Sequence, residues 1–219
     1  MSTNEVARKV RDHFDDDAVR FDAIYEQHKG VVAGFIDNFW RGVVQKRLEL
    51  NIEKLKPFDG KTVLDVGCGS GRFCLEYAKN NAKHVVGVDF AAAMIEIADK
   101  LSKQMQLEKQ CEFRVGAFPE VVAGESFDYS TANGFFDYIE DPVSIIAAMR
   151  EMTKETMILS FPKAIEWRVP IRRIRFWMKG TPLFLYTKKQ TKDILQKAGV
   201  ENYEWINLDR DYLVVAHLK

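Results

Sequence analysis

The stretch VLDVGCGSG, Val63 to Gly71, constrains this chain more than any other. Val63, Leu64 and Val66 supply the apolar side chains of a strand covered by helices on both faces, as in a parallel sheet. Gly67, Gly69 and Gly71 follow at alternate positions and allow a backbone turn that side chains would block. Arg72 to Lys79 then reads as a helix, with Phe73, Leu75, Tyr77 and Ala78 available for packing. A strand, a glycine-rich turn and a helix N-terminus together make a site for a nucleotide-like ligand.

The glycine spacing narrows the ligand. The dinucleotide fingerprint, G-x-G-x-x-G/A, ends on a small residue so that helix and strand pack closely. Counted from Gly67, that last position is Arg72, far too large for the role. The pattern present is G-x-G-x-G, with Asp65 two residues before the first glycine. A second apolar run, Lys83 to Phe90, puts Val85, Val86 and Val88 in a buried strand ending at Asp89. An acid there is placed to accept both hydroxyls of a bound ribose. The alternative role for Asp89 is to cap the helix that starts at Ala91 and runs to about Leu107. Phe90 and Met94 would lie against the base of such a nucleoside or in helix packing.

The rest of the chain continues the strand–helix alternation. Residues 1 to about 57 read as helical, with Phe35, Phe39, Val43, Leu48, Ile52 and Leu55 near helical spacing before Pro57 and Gly60. A third strand, Cys111 to about Val115, leaves through Gly116, Ala117 and Phe118. A fourth begins near Phe127 and leaves through Asn133 and Gly134, and Asp141-Pro142 then opens a helix. The fifth strand is expected around Met157 to Phe161. Trp167 to Lys179 interleaves Arg168, Arg172, Arg173, Arg175 and Lys179 with aromatic and aliphatic residues. Such a segment suits an anionic substrate, peripheral contact with a membrane surface or a nucleic acid, or it is a cap helix with solvated arginines. A helix stopped by Gly199 and a terminal hairpin close the sheet.

Composition removes several classes. The chain has 219 residues with 32 basic and 32 acidic side chains, so no global field points to nucleic acid. The polar N-terminus has no signal-peptide core, and no apolar run is long enough to span a membrane. Cys68, Cys74 and Cys111 lack metal spacing and suit a reducing, cytoplasmic setting. No metal site is expected.

Asp65, the three spaced glycines and Asp89, within seven strands and a terminal hairpin, resemble class I S-adenosylmethionine-dependent methyltransferases. The resemblance covers about Leu55 to Lys219 and is most specific at Val63 to Asp89. It implies an α/β fold, a doubly wound seven-stranded mostly parallel sheet of order 3-2-1-4-5-7-6 with the seventh strand antiparallel. Residues 1–57 would be a helical lid and 58–219 the core, with a basic aromatic insert at about 163–182. The implied cofactor is S-adenosylmethionine, with S-adenosylhomocysteine as product. Asp65, Gly67, Gly69 and Gly71 would surround its amino acid part, Asp89 its ribose, and Ala117 and Phe118 its adenine. Asn133 and Gly134 would face the methyl donor. Tyr25 and Arg20 would be lid residues. The stretches RDHFDDDAVRFDAIY and NGFFDYIEDP look like small-molecule methyltransferases acting on tetrapyrroles and quinones. Some of these carry a His-Tyr pair where this chain has Asp137-Tyr138.

Methyl transfer is an in-line displacement at an activated sulfonium carbon, so the protein mainly aligns the acceptor and excludes water. A base is needed only for an acceptor that starts protonated. Asp137 is the first candidate, with Tyr138 or Tyr25 orienting the acceptor; the competing role for Asp137 is a helix cap. The expectation is O-methylation of a small, anionic acceptor. N- or C-methylation of a small molecule or nucleic acid, a NAD-dependent oxidoreductase and a non-catalytic nucleoside-binding module remain the alternatives.

Overall fold

The computed structural model describes residues 44–164 and 183–219. Arg20 and Tyr25, and the whole basic aromatic stretch from Trp167 to Lys179, lie outside the described residues. A helix, α1 (44–55), leads into the sheet. Then come β1 (Thr62–Val66), α2 (Arg72–Lys79), β2 (His84–Asp89), α3 (Ala92–Gln104), β3 (Cys111–Val115) and β4 (Phe127–Ala132). They are followed by α4 (Pro142–Met152), β5 (Thr153–Pro162), α5 (Lys188–Lys197), β6 (Tyr203–Asn207) and β7 (Asp211–His217). Single 3-10 turns stand at Glu120–Val122 and Phe136–Tyr138.

Among the described residues the strands form one seven-stranded sheet of order β3-β2-β1-β4-β5-β7-β6. All pairs from β3 to β5 are parallel, and β7 runs antiparallel between β5 and β6. This is the order and direction that the family resemblance implied. The chain builds outward from β1 through β2 to β3, then returns to place β4 on the other side of β1. Such a reversal opens a crevice beyond the carboxyl ends of β1 and β4, where ligands bind in open parallel sheets.

The period-two alternation of each strand sorts the core onto two faces. Leu64, Val66, Val86, Val88, Leu159 and Phe161 pack on the side covered by α4 and α5. Val63, Val85, Ile158 and Val215 pack with Leu50, Leu55, Phe73 and Tyr77 from α1 and α2. Asp65 shares the parity of Val63, so its carboxylate enters the α1–α2 side.

Two elements differ from the sequence expectation. β5 starts at Thr153, directly after α4, because the Thr153 hydroxyl is satisfied inside the core. It donates to the Met149 carbonyl at 2.6 Å and sits 2.5 Å from Ser130 Oγ. A register shift against β4 accommodates the extra length. In α1 the buried edge is Arg47, Leu50, Asn51 and Leu55, with Leu48 and Ile52 only half-buried. The helix is rotated from its apolar stripe because Arg47 and Asn51, one turn apart, find polar partners within the fold.

Candidate functional site

The glycine loop is built by close contacts on one side and open space on the other. A Cβ on Gly71 would lie 2.8 Å from the Phe113 ring and 2.9 Å from Ala98 Cβ, and its φ is +75°. Gly71 therefore provides the close helix–sheet packing that the dinucleotide fingerprint assigns one residue later, which explains why Arg72 is tolerated. A Cβ on Gly69 would meet nothing within 4 Å. That open side and the half-buried backbone of Gly67 and Gly69 leave room for a ligand over the loop.

Asp89 ties this loop to the end of β2. Its Oδ2 accepts from the Gly69 N–H and its Oδ1 from the Ala91 N–H, each at 2.9 Å. The carboxylate thus braces the loop and the start of α3 at once. It is half-buried at the crevice, and each of its oxygens can accept more than one hydrogen bond. Phe90 is half-buried beside it. Met94 is buried in a small cluster with Ala91. Of the pair after β3, Ala117 is exposed while Phe118 turns into the main core.

Asp65 is buried without a cationic partner among the described residues. Thr131 Oγ1 donates to its Oδ1 at 2.7 Å, and Cys74 Sγ lies 3.4 Å from Oδ2. Burial pushes this carboxyl up to about 7, opposed by those two hydrogen bonds and aided by the Asp89 charge. The same burial raises the Cys68 and Cys74 thiols and the Tyr77 phenol.

A polar chain then runs from Asp65 to the exit of β4. Tyr77 Oη donates to Asn51 Oδ1 at 2.9 Å and lies 3.4 Å from Thr131 Oγ1. Asn51 and Asn133 pair amide to amide, at 3.2 and 3.1 Å. Gly134 N donates to Ser160 Oγ at 2.7 Å, and Arg47 Nη1 lies 3.4 Å from that oxygen. Asn133 and Gly134 are therefore held by α1 and β5, at the strand ends beside the glycine loop.

Phe135, Asp137 and Tyr138 follow on the 3-10 turn. The Phe135 ring lies on Gly67, 2.5 Å from where a Cβ would stand. Phe136 stacks on Phe161 at 4.8 Å, and Phe161 meets Tyr186 edge-on. Tyr186 Oη donates to the Phe136 and Ile139 carbonyls, and Phe184 N donates to the Asp137 carbonyl at 2.8 Å. The turn carrying half-buried Asp137 and Tyr138 is thereby fixed from behind. Asp137 does not cap α4; Asp141 does, accepting from Ser144 N at 3.2 Å.

Sequence reasoning passed over Arg47, Asn51, Thr131, Phe135 and Ser160, and took Tyr77 only as packing. A usable signal existed in Arg47 and Asn51, a polar pair at helical spacing beside an apolar stripe. Among the described residues no group of His, Cys, Asp or Glu is arranged to hold a metal, and no helix is long and apolar enough to cross a membrane.

A family profile described as a methyltransferase domain matches residues 57–199. A ubiquinone biosynthesis O-methyltransferase of Pasteurella multocida is 30% identical over 124 residues, 52% of this chain and 51% of that protein. Protein arginine N-methyltransferase 1 of Dictyostelium discoideum is 37% identical over 95 residues, 43% of this chain and 27% of that one. The chain thus spans about half the length, or less, of these curated relatives. The solved magnesium protoporphyrin IX methyltransferase of Synechocystis PCC 6803, with bound SAH, superposes with a TM-score of 0.74. The match covers 95% of this chain and 97% of that one at 19% identity, a likeness of fold.

Proposed function

The chain belongs to the methyltransferase-domain family, and from that premise we propose that it transfers the methyl group of S-adenosylmethionine to an oxygen of a small, anionic acceptor. The observation that carries this reading is the joint placement of Asp89, open Gly69 and buried Asp65 at the reversal of strand order. The residues fit the donor. Asp89 can receive ribose hydroxyls while its backbone bonds keep it aimed, and Gly69 presents an unobstructed loop. Asp65, uncharged or charged near neutral pH, suits the vicinity of an ammonium group. Ala117, exposed after β3, and Phe90 suit the edges of an adenine ring, with Met94 and Phe118 forming the packed floor behind.

S-adenosylmethionine supplies an electrophilic methyl on sulfur. The protein's part is to bring the acceptor oxygen in line with it at the exit of β4, where Asn133 and Gly134 are fixed. The new C–O bond forms as the C–S bond breaks, and sulfur keeps the electron pair. For a hydroxyl acceptor the proton goes to Asp137, on the turn held by Tyr186 and Phe184, with Tyr138 orienting the oxygen. A relative named for ubiquinone biosynthesis and a solved structure named for magnesium protoporphyrin IX support a small organic acceptor, against the relative named for protein arginine.

The test is turnover with S-adenosylmethionine carrying a 13C methyl, against a set of phenols, catechols and carboxylic acids. The reading expects a labelled methyl on oxygen. A label only on nitrogen or carbon, or none on any compound with the donor bound, would overturn the O-methylation assignment. With a phenol accepted, Asp137→Asn is expected to lower kcat by about 100-fold with little change in donor affinity.

A further inference from the structure

Arg47 stands out among the polar groups near the strand ends. It is 9% exposed, yet its guanidinium is held only at long range. Nη1 lies 3.4 Å from Ser160 Oγ, and Nε lies 3.4 Å from Asp211 Oδ2. Neither Nε nor that Asp211 oxygen has a hydrogen-bond partner among the described residues. A buried pair serving stability alone is favoured by short, bidentate geometry, because desolvating both charges is otherwise poorly offset. Here a planar group with five donors is kept under-occupied.

Its position gives that deficit a use. A Cβ on Gly134 would lie 3.1 Å from Arg47 Nη1, so the glycine leaves the end of the guanidinium clear. Gly134 and Asn133 are the residues proposed to face the methyl donor. Ser160 Oγ accepts from Gly134 N, and Asn51, one turn along α1, accepts Tyr77 and grips Asn133. Arg47 is thus fixed beside the residues proposed to face the methyl donor, on a helix that precedes the methyltransferase core, while the Asn51 and Asn133 amides spend their donors on each other and on the Arg47 carbonyl.

We propose that Arg47, set by Ser160 and Asp211 and cleared by Gly134, is the specificity residue that binds a carboxylate of the methyl acceptor. This rests on the methyltransferase reading and assigns one residue to the anionic character of the acceptor. The carboxylate would take the unfilled guanidinium edge, a geometry that a fork of donors meets and a point charge does not.

The test uses benzoate and its uncharged analogue benzamide as probes, titrated into the protein saturated with S-adenosylhomocysteine and observed by protein NMR. Wild type is expected to bind benzoate at least about tenfold more tightly than benzamide. Arg47→Met should reduce that ratio to about one, and Arg47→Lys should lower it several-fold while keeping part of the preference. Unchanged S-adenosylhomocysteine affinity shows that each variant is folded; if Arg47→Met fails this check, Arg47→Lys decides. Equal binding of both probes to wild type, or an undiminished benzoate preference in the folded variants, would overturn the proposal. Should wild type fail to bind S-adenosylhomocysteine, the methyltransferase reading fails by itself. The same probe ratio on the free protein then still decides whether Arg47 binds a carboxylate.

Discussion

The two sides of the crevice are built differently. On the proposed donor side, the glycines and Asp89 come from one strand–helix–strand unit and are held by backbone N–H groups and close packing, while Asp65 of the same unit is held by the Thr131 and Cys74 side chains. On the proposed acceptor side, Arg47, Asn51, Asn133, Ser160 and Asp211, with Tyr77 reaching across from α2, come from separate parts of the chain and are joined through side chains. The Arg47–Ser160 contact alone bridges 113 positions. A local unit can be kept intact by a short motif, so one donor can serve a whole family. A network assembled across the fold changes with any of its members, which suits a site that must distinguish acceptors.

The contrast is most severely tested by breaking the local unit. In Gly71→Val the new side chain would enter the Phe113 ring and Ala98 at a backbone angle that valine rarely adopts. The expected loss is about 3–6 kcal/mol, seen as a collapse of the unfolding midpoint with loss of donor binding. A variant that unfolds like wild type would show that the loop does not depend on this packing.

Asp65 is the next largest. Its folded carboxyl is raised to about 7 from 3.8 by burial. Between those values the unfolded chain has released the proton and the folded chain keeps it. The contribution of Asp65 to stability is therefore greatest below about pH 4, falls as pH rises toward 7, and is level above, by on the order of 4 kcal/mol. It is opposed at acid pH by Glu112, Asp128, Asp141 and Glu155, whose folded carboxyls are lowered. Denaturant titrations of the ligand-free protein should show this fall as the difference between the pH profiles of wild type and Asp65→Asn. An ammonium group bound nearby would draw the carboxyl back down. Binding of S-adenosylhomocysteine at about pH 6.5 should then release a proton in wild type and none in Asp65→Asn, measured by calorimetry in two buffers.

Smaller effects belong to the acceptor side. Tyr77→Phe removes the donor to Asn51 and leaves the Asn51–Asn133 amide pair in place, so a loss of about 1 kcal/mol is expected from chemical unfolding. A loss of several would mean that the network acts as a unit. Asp141→Ala, which takes the N-cap from α4 outside both regions, should cost about 1 kcal/mol and leave the affinity for S-adenosylhomocysteine unchanged.

The same contrast decides what could be read from the sequence. The loop was legible because Val63 to Asp89 encodes its own geometry in periodicity and glycine spacing, and the strand order came with the family resemblance that those residues carry. The buried face of α1 was not, since Leu48 and Ile52 fit a helical stripe as well as Leu50 and Leu55 do. Only Tyr77, Asn133 and Ser160, distant in sequence, decide that Arg47 and Asn51 turn inward. Phe118 reads as a ligand neighbour because it follows a strand, and no local pattern announces that it also packs in the core with Val88 and Val122. β5 began early because Thr153 has partners in Met149 and Ser130 that no local pattern announces.

The proposed donor site depends on Asp89, which joins the glycine loop to the end of β2. The most direct test of that dependence is calorimetric titration of wild type and Asp89→Ala with S-adenosylhomocysteine and, separately, NADH. Wild type is expected to bind the sulfur nucleoside at about micromolar concentration and Asp89→Ala at least about 100-fold more weakly, with no binding of NADH. Binding of NADH in place of S-adenosylhomocysteine, or equal affinity in a folded Asp89→Ala, would contradict the proposed donor site.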